Sequence, residues 1–255
     1  TKECIDKFCT ARSRMTEVYT NRDTSLPSLK VANVATYITP TKQEILVHQL
    51  NDPGLENFIL YDLVKAFCLI GDCWLQEHDF LAEEHIVIMD MKDYSLKIIP
   101  RVNLMFLKDF FQYLLEAVPV RLKQLHLVNC PSVIDKLFAV VKPILPAEIC
   151  NLINFHTTIE GLYKHLDRKS LPVDFGGEGI SLAEQNKAWR DKVDSKRLTY
   201  HDQINKTLTE GALKSLRNQR ACMKRLMNVD EAKEVCRDRV KWRSIVSAYP
   251  ARDLA

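Results

Sequence analysis

The sequence predicts an α/β fold in which a mostly parallel β-sheet is covered by helices. Strand-like and helix-like segments alternate from residue 44 to residue 166, the order that βαβ units produce. Two of the strand-like segments, 85–90 and 125–129, are short apolar runs, as strands buried on both faces require. The 255 residues are 46% hydrophobic and 27% charged, enough to enclose a sizeable core without disulfide support.

Each element follows from local pattern. Ile5, Phe8, Cys9 and Met15 lie at helical spacing and predict a helix over 1–20. Residues 21–28 have the composition of a linker. Residues 44–50 fit a strand, and the Asn-Asp-Pro-Gly run at 51–54 fits a tight turn. A long helix is predicted over 58–76 from Leu60, Leu63, Val64, Phe67, Cys68, Ile70, Trp74 and Leu75. The strand at 85–90 comes next, then an amphipathic helix over 103–117 and the strand at 125–129. Residues 131–145 read as one helix with apolar side chains on more than one face, Asp135, Lys136 and Lys142 being its only charges. Such a helix belongs in a deep core or covers a hydrophobic cavity. A short strand at 153–156, a helix over 159–166 and a turn at 174–177 complete the body. Residues 206–227 can form a basic amphipathic helix, with Leu213, Leu216, Met223 and Met227 on one side and Lys214, Arg217, Arg220, Lys224 and Arg225 supplying charge.

Charge and cysteine content narrow the setting. Residues 1–184 carry 19 Lys+Arg against 24 Asp+Glu, a net of −5, whereas residues 185–255 carry 17 against 9, a net of +8. A basic tail suits anionic membrane, nucleic acid or an acidic partner, or is simply a solvated helix face. None of the eight cysteines forms a C-x-x-C pair, so free thiols in the cytosol are expected. No run reaches the roughly 18 apolar residues of a membrane span, and the first residues lack a signal-peptide core. A chain that starts without Met and inside a helical pattern reads as having lost its true beginning.

Motifs for chemistry are absent from the sequence: no glycine-rich phosphate loop, no H-E-x-x-H and no G-x-S-x-G occurs. His126 and His156 fall on predicted strands and can converge, as a functional pair or as satisfied core histidines. Asp90 ends a buried strand, where open α/β sheets place functional groups, and Asp93 follows it. This pair fits acid–base work, a metal ligand set or a simple strand-end cap. No nucleophile or third ligand accompanies it, so a binding protein without metal, cofactor or covalent chemistry is expected.

Three ordered segments carry a family likeness. They are Pro-Val-Arg-Leu-Lys-Gln-Leu-His-Leu-Val-Asn-Cys-Pro at 119–131, Lys-Pro-Ile-Leu at 142–145 and Leu-Pro-Val-Asp-Phe-Gly-Gly at 171–177. In order and spacing they resemble the CRAL-TRIO family, nearest its tocopherol-transfer and retinaldehyde-binding branch and the insect members of that branch. The likeness runs over about residues 3–200. It implies a lipid carrier whose sheet floors an apolar pocket closed by a mobile gate at 129–152, with Val133, Ile134, Leu137, Phe138, Val141, Ile144 and Leu145 as its apolar face. The family's pocket positions fall on Val64, Phe67, Gly71, Met89, Tyr94, Val102, Phe110, Tyr113, Leu114, Val118, Leu122 and Leu125, with Tyr94 and Tyr113 offering hydroxyls. The implied ligand is a lipid, tocopherol, retinoid or similar molecule, taken from and returned to membranes by a cytoplasmic monomer in transient peripheral contact with them. No cofactor and no specific nucleic acid are implied.

Arg121 and Lys123 match the start of the basic cluster with which tocopherol carriers bind phosphoinositide head groups. Glu148 and Leu152 stand where the family has basic residues, and Asp93 where it has glycine. A module that reads phosphoinositides without transferring a ligand is the alternative. On this likeness, 1–23 is a remnant of an N-terminal helical region, 24–200 the lipid-binding domain, and 201–255 a basic tail, helical or poorly packed. Within the tail, 234–250 resembles the C-terminal end of insect non-LTR retrotransposon polyproteins, as a fusion or a gene-model artefact would produce.

Overall fold

Five strands form one sheet in the order β1-β2-β3-β4-β5. They are β1 Ala32–Ile38, β2 Gln43–Leu50, β3 Glu84–Asp90, β4 Leu122–Val128 and β5 Ile153–Phe155. β1 is antiparallel to β2, and every other pairing is parallel. The helices are α1 Thr16–Tyr19, α2 Leu60–Glu77, α3 Leu104–Glu116, α4 Ile134–Val141, α5 Ala147–Cys150 and α6 Leu182–Thr209. The computed structural model describes residues 7, 8, 10–12, 14–19, 25, 30–77, 82, 84–118 and 120–209, with side chains outside 16, 73–77 and 196–209.

The predicted α/β architecture with a mostly parallel sheet is what the chain adopts. Several elements differ from expectation for identifiable reasons. The helix predicted over 131–145 is broken: α4 ends at Val141 and Lys142–Ile144 is a 3-10 turn. Pro143 has no N–H to donate and its ring crowds the preceding turn, so an α-helix cannot run through it. The helix predicted over 159–166 is a 3-10 helix, Ile159–Lys164. Gly161 weakens an α-helix there, and a Cβ at Gly161 would lie 2.5 Å from His156 Nδ1. β1 and the α6 start are additions, and β4 begins three residues before the predicted strand. Of the predicted 1–20 helix, the described part holds helical residues 7, 8, 10–12 and 14 and then α1. Of the 206–227 helix, only 206–209 lie within the described residues, and they continue α6.

The two faces of the sheet are packed differently. On the outer face Ala35, Ile45, Val47, Ile86, Ile88 and Val128 are at most 2% exposed and join Leu162, Leu166, Leu171, Phe175 and Leu182 in one cluster. The 171–177 motif seals this cluster. Leu171 and Phe175 are fully buried, Gly176 takes a left-handed φ of 70°, and a Cβ at Gly177 would run into the Leu171 carbonyl. Tyr163 donates to the Phe175 carbonyl at 3.0 Å, and Asp174 caps α6 by accepting from Leu182 N at 2.7 Å. On the inner face Leu46, His48, Val87 and Met89 stay half-buried, although strands flank them on both sides, and so does Ile153 on the edge strand β5.

Above that inner face the apolar side chains form three separate clusters. One joins Val34 to Val64 and Cys68 of α2, to Phe106, Phe110 and Tyr113 of α3, and to Phe8, Met15 and Val18. A second joins Ala32 and Leu50 to Phe58, Leu63, Ile98 and Leu137. The third joins Met91, Leu125 and Leu127, with Met89, Ile134 and Ile153 against them.

At the C-terminal end of β3, Asp90 is 2% exposed. It accepts hydrogen bonds from Gln49 Nε2 at 3.0 Å, Lys92 N at 3.1 Å and Asn129 Nδ2 at 2.9 Å. Replacing Asp90 with Ala leaves three partly buried donors without their acceptor and is expected to lower stability by about 2 kcal/mol in urea denaturation. The face asymmetry predicts a second contrast in the same measurement. Ile88→Ala should cost about 3 kcal/mol, and Met89→Ala about 1 kcal/mol, because Met89 fills little of its surroundings. Equal losses for the two would remove the asymmetry.

Candidate ligand pocket and gate

The twelve expected pocket positions lie on α2, α3, the β3–α3 segment, the α3–β4 turn and β3–β4, and all but Gly71 and Leu122 divide among the three inner-face clusters. Val64, Phe110 and Tyr113 are buried in the first cluster, with Phe67, Leu114 and Val118 half-buried against it. The Phe67 and Phe110 rings meet edge-on at 5.6 Å. Tyr94 and Val102 pack against the second cluster, and Leu125 and Met89 belong to the third, where Tyr94 also makes contact. Tyr94 thus bridges two walls. Leu122, half-buried at the start of β4, joins none of the three. Gly71 lies two helical turns beyond Val64 on the same side of α2, and a Cβ built there would meet no heavy atom within 4 Å.

The two tyrosines offer their hydroxyls unequally. Tyr113 accepts from Tyr19 at 3.2 Å, beside an Arg12–Asp72 ion pair. Arg12 also lies over the Phe8 and Tyr19 rings at 4.6 and 4.3 Å. The Tyr94 hydroxyl makes no hydrogen bond among the described residues, and burial together with the Asp90 charge raises its pKa. Sequence pattern does not single out His48. It sits on the inner face between Val34 and Met89 in register, and its Nδ1 is buried without a hydrogen-bond partner. Burial depresses its pKa to about 4, against the upward pull of Asp90. Nothing in the local pattern of β2 distinguishes such a histidine from a solvated one.

The gate residues form one side of this region. Leu137 is buried at 7% in the second cluster, with Val133 beside it, and Ile134 touches the third. Phe138, Val141, Ile144 and Leu145 are half-buried. Phe138 packs edge-on against Phe155 at 5.1 Å, and Phe155 is itself 44% exposed. Asn129, at the entry to the gate, has a left-handed φ of 52° and is tied to Asp90 through its side chain. At the exit, Leu125 N donates to the Leu152 carbonyl at 2.9 Å. That bond sets the gate's return beside Lys123. Arg121, Lys123 and Glu148 are exposed and Leu152 is half-buried.

The remaining candidates take the following places. His126 and His156 do converge, with Nδ1 to Nε2 at 2.9 Å, and His165 makes a third ring within 5.5 Å of both. His126 Nε2 meets Gln124 Oε1 at 2.8 Å. Donation from His126 to that carbonyl, and from His156 to His126, leaves both rings neutral. Burial, then the neighbouring His156 and His165, hold His126 at about 4. Both oxygens of Asp90 are engaged as a strand-end cap, and Asp93 is half-buried in the following turn. Cys130 and Cys150 are free thiols. A hollow of about 520 Å3 lies elsewhere, between β1, the 170–180 segment and α6, lined by Tyr37, Glu44 and Trp189 among others. It contains none of the expected pocket residues. No helix among the described residues is long and apolar enough to cross a membrane.

Comparison with known proteins bears on the whole arrangement. The family model described as CRAL/TRIO domain matches residues 18–177. The alpha-tocopherol transfer protein-like proteins of Homo sapiens and Pongo abelii are 26% identical over 127 residues, covering 49% of this chain and 37% of theirs. Clavesin-2 of Rattus norvegicus is 23% identical over 121 residues, covering 47% of this chain and 37% of its own. The matched stretch is thus little more than a third of the length of these curated relatives. Among solved structures, the crystal structure of Sfh5 aligns with a TM-score of 0.45 and 16% identity, over 68% of this chain and 65% of that one. The matched residues take in all five described strands, α2 to α5 and the motif that seals the outer face, and the chain belongs to the CRAL/TRIO domain family.

Proposed function

We propose that this protein binds one hydrophobic small molecule between the inner face of its sheet and the gate, and carries it between membranes. The observation that carries this reading is the split of the inner-face side chains into three clusters over a half-buried parallel sheet. Parallel sheets are ordinarily covered on both faces, and a continuous core would merge those walls. An apolar molecule set among them removes its own surface and theirs from water, at about 25 cal/mol per Å2. The names of the tocopherol-transfer-like relatives support a lipid of tocopherol type, and Val64, Phe67, Gly71, Met89, Tyr94, Phe110 and their neighbours are the contacts proposed for it. The reading is of a carrier, not an enzyme.

Exchange needs the gate to leave the body. Among the seven gate residues only Leu137 is buried below a tenth, so opening gives up little apolar packing. The face so exposed, with Phe138 and the partly exposed Phe155, suits insertion into a bilayer surface. A cytoplasmic monomer with transient peripheral membrane contact fits this cycle. A second reading, phosphoinositide recognition at the gate root, draws support from the exposure of Arg121 and Lys123. Glu148 and Leu152 leave that cluster half-built.

Native mass spectrometry after incubation with phosphatidylcholine vesicles containing tocopherol or retinol should show one apolar molecule per chain. A protein that stays ligand-free from both vesicle types sinks the carrier reading. Phe138→Asp should leave loading intact and slow vesicle-to-vesicle transfer about tenfold, since a carboxylate resists insertion. In liposome flotation, Arg121→Glu should abolish any gain from adding phosphoinositide; an unchanged gain would rule out Arg121 as a head-group contact.

A further inference from the structure

A pocket for an apolar molecule needs few polar groups, but those few decide which molecule is held. The inner face carries an unusual one. His48 lies on that face on β2, beside the central strand, flanked in register by Val34 and Met89, and its buried Nδ1 has no hydrogen-bond partner. An atom left unpaired in the interior loses its water without gaining a partner. Met89 and Tyr94 pack against the same cluster, and the Asp90 charge acts on both His48 and Tyr94, which places the imidazole and the phenol near the C-terminal end of β3. The Tyr94 hydroxyl is also without a partner among the described residues, and Ser95 Oγ next to it is buried and unpaired.

We propose that His48 and Tyr94 form the polar end of the pocket and that the ligand presents a neutral hydroxyl group to them. This rests on the carrier reading above and adds to it the chemical class of the ligand. A neutral imidazole offers one N–H and one lone pair, and a phenol can both donate and accept. Together they match an alcohol or phenol, which also donates and accepts. The imidazole is neutral because burial outweighs the nearby carboxylate. The charge of Asp90 acts on both His48 and Tyr94, and it disfavours a fatty-acid carboxylate at this end. A hydrocarbon lacking any polar group would leave Nδ1 as it stands, unpaired.

The test uses the full chain and phosphatidylcholine vesicles carrying equal amounts of octadecanol, octadecane and octadecanoate. The protein is re-isolated, extracted, and its bound lipid measured by gas chromatography. The expected result is enrichment of octadecanol, with the octadecanol-to-octadecane ratio falling about tenfold in His48→Leu, the effect of one lost buried hydrogen bond. Octadecane uptake should hold or rise in that variant. His48→Gln keeps a donor and an acceptor and should retain most of the preference, and Tyr94→Phe should lose part of it. If His48→Gln and His48→Leu behave alike, or the ratio is the same in all variants, the polar end is overturned while the carrier reading stands. Preferential uptake of octadecanoate overturns the neutral hydroxyl. If the parent chain takes up none of the three, the carrier reading itself falls.

Discussion

The arrangement hangs on one buried carboxylate. Asp90 ends the central strand in a place where its charge cannot be solvated, so it must be met by donors. It is met from three directions: by a side chain of β2, by the backbone of the turn after β3, and by the side chain of Asn129 after β4. These hydrogen bonds fix the C-terminal ends of three parallel strands relative to one another, where an open α/β sheet opens toward its ligand. They also hold Asn129 in its left-handed conformation, which sets the direction in which the chain leaves the sheet toward the gate. The same charge reaches His48 and Tyr94. One residue therefore sets strand ends, gate entry and the electrostatics of the inner face.

The sheet is stabilised from one side and left adaptable on the other. Ile45, Val47, Ile86 and Ile88 are sealed under the 159–182 segment, whose glycine motif lets backbone close on backbone. This face supplies the cooperative core. The inner face is covered by helices that touch it in separate places, so side chains there can change neighbours without disturbing the sheet. That division explains how a parallel sheet with only one saturated face remains ordered: the unsaturated face is spanned by α2 and α3, themselves tied by Phe67–Phe110, while the Tyr19–Tyr113 hydrogen bond ties α1 to α3.

Much of this is legible in sequence where burial leaves a periodic trace. The patterns of β2, β3, α2 and α3 place them within a few residues of their bounds, because each buries a continuous stripe or run. β1 leaves little trace: Ala32, Asn33 and Ala35 are poor strand formers, and its place is set by pairing with β2 along its whole length. The start of α6 escapes because only Leu182, Trp189 and Val193 of its described residues are buried large apolar groups, too sparse a stripe to read. Pro143 breaks a helix that apolar content alone makes continuous. The pocket positions come from family likeness, and the structure spreads them over three walls. His48 is illegible for another reason. Whether a buried imidazole finds a partner depends on distant segments, and no local pattern records that.

The gate's roots constrain how it can move. At the entry Cys130 N donates to the His156 carbonyl at 3.0 Å while His156 N donates to the Leu127 carbonyl at 2.8 Å, so the chain is stitched to β4 and β5 up to residue 130. The stacked His126, His156 and His165 rings hold that stitch from the outer side. At the exit Leu125 N donates to the Leu152 carbonyl. Displacing either root would break sheet hydrogen bonds and expose the buried His126 imidazole, whereas displacing the stretch between them forfeits chiefly the packing of Leu137 and its half-buried neighbours. The proposed opening is therefore confined to residues 131–151, with its pivots where the helix already fails: the turn at Pro131 to Val133, and the Pro143–Pro146 stretch that separates α4 from α5. A gate built as one unbroken helix would have to swing as a rod. Broken at Pro143, it can lift α4 from the pocket while α5, anchored by the 1% exposed Ile149, stays on the body.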